Sequence, residues 1–112
     1  GFIFGAPLAR DLGAGFIPAR KPGKLPCKTI ERSYSLEYGT NKICMHSDAI
    51  DSGEKVVVID DLLATGGTMA ATCNLVEQLG GVIVETCTII ELEFLKGRIN
   101  LESRPFHTLI RY

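Results

Sequence analysis

The chain has 112 residues, 46% hydrophobic and 22% charged, with a formal net charge of −1. That is enough material for one buried core, and near-neutral charge excludes a general attraction to nucleic acid or acidic membranes, so any anion must be bound locally. No apolar run approaches the roughly 20 residues needed to span a bilayer, and no signal-peptide pattern is visible.

In chain order, Gly5 to Leu12 reads as a helix, with Pro7 early, Leu8 and Leu12 four apart and Gly13 as its stop. Phe16 to Ala19 reads as a short strand, placed by Pro18 at an edge or a strand end. Two prolines and a glycine make 20–29 a loop. Across 30–47, Tyr34, Leu36 and Tyr38 alternate with polar residues, then Gly39-Thr40-Asn41 and Ile43 to Met45 suggest a loose two-stranded excursion. Asp51-Ser52-Gly53 is a turn into Val56–Ile59, an apolar run without alternation that predicts a strand covered on both faces of a parallel sheet. Met69, Cys73, Val76 and Leu79 form a helical stripe ending at Gly80-Gly81. Val82 to Ile90 is the next strand, Phe94 to Leu101 a short helix or turn, and Phe106 to Ile110 a last strand. Strand, helix, strand in this order implies an open, mostly parallel α/β sheet with flanking helices.

The most informative stretch is Val56 to Thr68, V-V-V-I-D-D-L-L-A-T-G-G-T. Asp60 and Asp61 fall at the carboxyl end of a predicted strand, where parallel sheets bind ligands. Ala64, Thr65, Gly66, Gly67 and Thr68 are small, so successive backbone N–H groups can approach an anion, helped by the positive end of the following helix. This is a layout for holding a sugar phosphate. A plainer reading makes the turn a helix cap, with Thr65 or Thr68 as N-cap. Neither the P-loop nor the G-x-G-x-x-G fingerprint fits, since no Lys follows the glycines. Arg20, Lys21 and Lys24 follow a predicted strand, which would return them to the same sheet edge; from spacing alone a solvated loop is the better reading.

The two acids followed by T-G-G-T after a hydrophobic strand resemble the phosphoribosyl-pyrophosphate motif of the type I phosphoribosyltransferase family. The likeness extends to R-K-P-G-K-L-P (Arg20 to Pro26), S-Y-S-L-E-Y-G (Ser33 to Gly39), Asp48-Ala49-Ile50 and Leu95-Lys96-Gly97-Arg98, covering almost the whole chain. Among family members it is most similar to those acting on adenine. In that family, polypeptide upstream of Gly1 supplies a base-selecting hood, a first core strand and a pyrophosphate loop. The resemblance therefore implies one core domain over 1–112 that is incomplete at its N-terminus and shows little or no turnover alone.

The resemblance further implies transfer of 5-phosphoribosyl from phosphoribosyl pyrophosphate to adenine, giving AMP and pyrophosphate. Asp60 and Asp61 would take the ribose hydroxyls, Ala64 to Thr68 the 5′-phosphate, and Arg20, Lys21 and Lys24 the pyrophosphate. Mg²⁺ would ride mainly on the substrate, with no protein metal site. Residues 30–47 would be a mobile lid carrying Tyr38, with Glu37 as the group exchanging a proton with the purine ring nitrogen; read alone, this segment is a solvent-facing hairpin whose tyrosines cover hydrophobic surface. A homodimer in the cytoplasm is the family expectation.

Cys27, Cys44, Cys73 and Cys87 lie far apart without C-x-x-C pairing, which argues against zinc, redox work or a disulfide framework. Cys73 and Cys87 read as small core residues. His46 and His107 lack triad or metal partners and read as structural. Two other functions share the sugar site: transfer to another base, such as xanthine or orotate, and a non-catalytic nucleotide-binding module.

Overall fold

The computed structural model describes residues 1–26, 28–36 and 39–112, with the side chains of 35–40 left aside. Cys27, Glu37 and Tyr38 thus lie outside the described residues.

Helix α1 (Phe2–Leu12) begins three residues before the sequence-predicted start, its first turn closed by the Gly5 N–H donating to the Gly1 carbonyl. It ends as expected at Gly13, where a left-handed φ of 66° lets Gly13 and Ala14 donate to the carbonyls of Arg10 and Ala9. The strand expected over Phe16–Ala19 does not form. Pro18 has no N–H to give, and contact with the neighbouring strand is confined to one antiparallel bridge between Arg20 and Cys44.

Strands β1 (Thr29–Leu36) and β2 (Gly39–His46) form an antiparallel hairpin, pairing Thr29 with His46 through to Leu36 with Gly39. Here the mixed signals over 30–47 resolve into a regular two-stranded ribbon. A separate parallel sheet has the order β3-β4-β5, built from β3 (Lys55–Leu63), β4 (Val82–Glu91) and β5 (Phe106–Arg111). Helix α2 (Gly67–Gln78) links β3 to β4, and two short 3₁₀ turns, Glu93–Leu95 and Gly97–Leu101, link β4 to β5. This is the open parallel α/β arrangement that alternating strand and helix patterns predict.

The core lies between the sheet and the hairpin, around α2. That helix buries Met69, Cys73 and Val76 of its expected stripe, and Ala71 and Leu75 besides. The wider apolar surface follows from packing against both ribbon and sheet, since a helix covered on two sides needs more than one stripe. It stops at Gly80 (φ 90°), whose N–H donates to the Glu77 carbonyl while Gly81 donates to Val76.

Register places Val58, Thr86 and Phe106 side by side on the α2 face, where the threonines are satisfied within the protein: Thr86 Oγ1 donates to the Pro105 carbonyl (2.6 Å) and Thr88 Oγ1 to Thr108 Oγ1 (3.2 Å). The opposite face carries Val57, 44% exposed, and Leu109, 67% exposed. Within residues 1–112 the expectation that Val56–Ile59 is covered on both faces is met only in part: Val58 is buried on the α2 face, and Val57 on the other is exposed. No helix of the described residues is long and apolar enough to cross a membrane.

Candidate functional site

Strand β3 runs four residues past the apolar segment, to Leu63, and carries both acids with it. Adjacent residues on a strand face opposite ways, so Asp60 shares the inner face with Val58 while Asp61 looks outward; their side chains are 31% and 64% exposed. The Asp61 N–H donates to Asp60 Oδ1 at 2.9 Å, and the Gly1 amino nitrogen stands 3.3 Å from that oxygen and 3.8 Å from Asp61 Oδ1.

This asymmetry splits the two acidities. Desolvation, followed by the hydrogen bond shared with the Asp61 side chain, pushes the Asp60 carboxyl above its ordinary value. That same shared bond, on the more solvated partner, holds Asp61 below its ordinary value. Of the two, Asp60 keeps its proton to the higher pH and Asp61 ionises the more readily.

Beyond β3 the chain turns through Ala64–Gly66 into α2. Gly66, at φ 85° and ψ −3°, occupies the N-cap position and no side chain caps the helix. Capping by Thr65 or Thr68 is thus excluded. Among the described residues, no hydrogen bond is donated by the backbone N–H of Thr65, Gly66, Gly67, Thr68 or Met69. These amides, at the positive end of α2, line with Asp60 and Asp61 a cleft of about 250 Å³ whose walls run from Asp60 to Met69 without a break. Acceptors for hydroxyls at one end and free donors for an anion at the other suit a phosphorylated sugar.

The basic residues stand apart from this cleft. The Arg20 guanidinium lies 5.1 Å from the Phe2 ring centroid, next in chain to Gly1, so it approaches the acids from the α1 side. Lys21 and Lys24 are exposed on a turn closed by the Lys24 N–H on the Lys21 carbonyl, and neither lines the cleft. A second, largely apolar cavity of about 510 Å³, between α1, β3 and the end of β2, meets the cleft at Asp60, Thr68 and Met69. Glu37 and Tyr38 lie outside the described residues. Among those described, no cluster of three or more His, Cys, Asp or Glu could hold a metal; Asp60 and Asp61, two oxygen donors facing a cleft, fit a Mg²⁺ ion that arrives on substrate oxygens.

Sequence reasoning missed the support behind the loop. Glu91, at the end of β4 with a side chain only 3% exposed, accepts both arms of Arg98 (2.5 and 2.8 Å), and the guanidinium lies 4.8 Å from the Phe106 ring centroid. The forked bond holds the Glu91 carboxyl below the usual range despite its burial. Asn100 Nδ2 donates to the Thr65 carbonyl at 2.6 Å. A signal was present in Gly97-Arg98, a turn glycine beside a long cation, but the pairing of Asn100 with Thr65, 35 residues earlier, is invisible to spacing. Of the remaining titrators, His107 is exposed, and His46 Nε2 is buried without a hydrogen-bond partner among the described residues.

Comparison with known proteins agrees with this geometry. The model of the phosphoribosyl transferase domain matches residues 1–101. The adenine phosphoribosyltransferase of Roseiflexus sp. (strain RS-1) is 60% identical over 112 residues, covering all of this chain and 65% of that protein. Among solved structures, the adenine phosphoribosyltransferase of Thermoanaerobacter pseudethanolicus superposes with a TM-score of 0.98 at 52% identity, over 100% of this chain and 65% of that one. The Saccharomyces cerevisiae enzyme, complexed with an imino-altritol bisphosphate and adenine, gives 0.92 at 45% identity, over 96% and 61%. The chain spans about 65% of the length of the curated relatives it matches. With the two acids, the amide turn and the parallel sheet in place, the chain belongs to the phosphoribosyl transferase domain family.

Proposed function

We propose that the protein transfers a 5-phosphoribosyl group from phosphoribosyl pyrophosphate to adenine, giving AMP and pyrophosphate in purine salvage, and that residues 1–112 are the sugar-phosphate-binding part of that enzyme. The observation that carries the reading is the cleft in which the Asp60–Asp61 pair and the free amides of Thr65–Met69 share one wall. The names and ligands of the relatives supply the base.

In this reading the ionised Asp60 and Asp61 accept the ribose hydroxyls, and the turn from Ala64 to Thr68 grips the 5′-phosphate. Binding that remote group supplies energy for holding the reacting carbon in line. As the bond to pyrophosphate stretches, negative charge gathers on the leaving group and positive charge on the sugar. Arg20, Lys21 and Lys24 meet the former, and the two carboxylates face the latter. Asp60 and Asp61 would face a Mg²⁺ ion carried mainly on substrate oxygens, which would supply charge neutralisation there. The hairpin acts as a lid that excludes water, with Tyr38 within it and Glu37 exchanging the proton of the purine nitrogen. We further propose a homodimer in the cytoplasm, consistent with Cys44, Cys73 and Cys87 all being free thiols.

The test is calorimetric titration of AMP into the full-length protein and into Asp60→Asn and Asp61→Asn variants, alongside turnover with adenine, xanthine and orotate. Tight AMP binding lost in both variants, with turnover only on adenine, is expected. AMP binding without turnover on any base would instead mark a nucleotide-binding module. Unchanged affinity in both variants would remove the ribose contact.

A further inference from the structure

The anion-binding turn is braced from behind, and the brace decides where its donors point. The Thr65 carbonyl is held at 2.6 Å by Asn100 Nδ2, which belongs to the 3₁₀ turn Gly97–Leu101 and lines neither the cleft nor the larger cavity. In a trans peptide the C=O and the following N–H point in opposite directions, and no cis peptide bond occurs among the described residues. Drawing the Thr65 oxygen back onto Asn100 therefore turns the Gly66 N–H forward. The Gly66 carbonyl, in turn, accepts from the Ala70 N–H at 2.9 Å inside α2, so the Gly67 N–H points out of the helix end, into the same space.

The base of the brace is equally fixed. Lys96 takes a left-handed φ of 53° to bring Gly97 into backbone contact with Ala64 and Gly66. The fork of Arg98 on buried Glu91 ties that turn to the end of β4. Asn100 is thus a side chain on a rigid platform, with its amide aimed at one carbonyl of the turn.

We propose that Asn100 is a positioning residue for the phosphate-binding turn: through the Thr65 carbonyl it sets the direction of the Gly66 N–H, and so the affinity for the 5′-phosphate end of the ligand. This rests on the sugar-phosphate reading of the cleft. A donor left free to swing must be ordered at each binding event, whereas a braced one is ready.

The experiment compares the full-length parent protein with Asn100→Ala and Asn100→Leu, the latter keeping side-chain size while removing the donor. Ribose 5-phosphate affinity is measured by calorimetry, KM for adenine and for phosphoribosyl pyrophosphate by steady-state kinetics, and Tm by scanning fluorimetry. Both variants are expected to bind ribose 5-phosphate roughly three- to tenfold more weakly, the worth of one net hydrogen bond. KM for phosphoribosyl pyrophosphate rises in parallel, while KM for adenine stays near the parent value and the Tm falls by no more than the few degrees that one hydrogen bond is worth. Parent binding with unchanged ribose 5-phosphate affinity in both variants overturns this inference and leaves the site reading intact. Equal losses for sugar phosphate and adenine with a fallen Tm also overturn it, since they mark a merely structural role. If the parent itself does not bind ribose 5-phosphate, the site reading falls and this inference with it.

Discussion

Gly66 and Gly97 lie back to back, each with main chain where a side chain of its own would have to go. A Cβ on Gly66 would overlap the Gly97 carbonyl oxygen, and one on Gly97 would overlap the Ala64 carbonyl oxygen. Gly66 also sits at φ 85°, a region that costs other residues roughly 1–2 kcal/mol. The turn that offers its amides to the cleft can press against its support only because both positions lack side chains.

Gly66→Ala and Gly97→Ala are therefore expected to displace the turn. Each should cost about 1–3 kcal/mol of stability, through left-handed backbone strain at Gly66 and overpacking against the Ala64 carbonyl at Gly97, and should abolish measurable ribose 5-phosphate binding. Urea denaturation and calorimetry on the same samples check both effects. Gly23, also at positive φ but with open space around its Cβ position, provides the control: Gly23→Ala should leave phosphate binding intact.

The acid pair gives a pH dependence of known sign. Ionising Asp60 is resisted by desolvation, so its folded-state pKa lies above the ordinary value. Its contribution to stability is full below the unfolded value and lost as pH rises through the folded one; Asp61, shifted the other way, contributes above the unfolded value and loses that as pH falls. Asp60→Asn should accordingly leave Tm at pH 7 equal to or above that of the parent, while AMP binding is lost. A lower Tm with AMP binding retained would reverse the assignment of the strained acid. In the parent, AMP affinity should weaken as pH drops toward the raised pKa of Asp60.

Glu91 and Arg98 supply a stability test away from the ligand. Removing the cation in Arg98→Met leaves the Glu91 carboxylate with only Arg111 at 3.9 Å; because the guanidinium is 45% exposed, the loss should be about 1–3 kcal/mol. The double substitution Glu91→Gln, Arg98→Met should recover part of that loss. With the Glu91 carboxyl held below its ordinary value, the pair stabilises above the unfolded pKa, and this is lost as pH falls through the folded one. Acid unfolding of the parent should therefore be steeper than that of the double variant.

Cys73 lies fully buried on α2, and desolvation pushes its thiol up to about 11. The thiolate is the reactive form, so at pH 8 Cys73 should resist alkylation in the native protein and react only on unfolding, as peptide mass mapping can follow. Rapid native labelling at Cys73 would contradict the packing described for α2.

Much of the fold was legible because its signals are local. The apolar run ending in Asp60-Asp61, the glycine stops at Gly13 and Gly80, and the stripe of Met69, Cys73 and Val76 each reflect the geometry of one element, and each element formed. Phe16–Ala19 failed as a strand because Pro18 has no N–H to give, so pairing with the open edge of the ribbon is limited to the single bridge of Arg20 with Cys44. Val57 is exposed within residues 1–112 for another reason: apolarity says that a residue can be covered, and only the arrangement of neighbouring layers says whether it is.

The sequence by itself determined the order of elements and the chemistry of the cleft, since two carboxylates and a run of small residues at the end of one strand are neighbours in the chain before they are neighbours in space. The tertiary structure alone decided what braces that cleft. Glu91 meets Leu63, 28 residues upstream, and Asn100 meets Thr65, 35 residues upstream, only after β4 has paired alongside β3 and the Gly97 turn has folded back. Contacts of that kind depend on chain reversal and packing, which leave no periodic trace in a linear sequence.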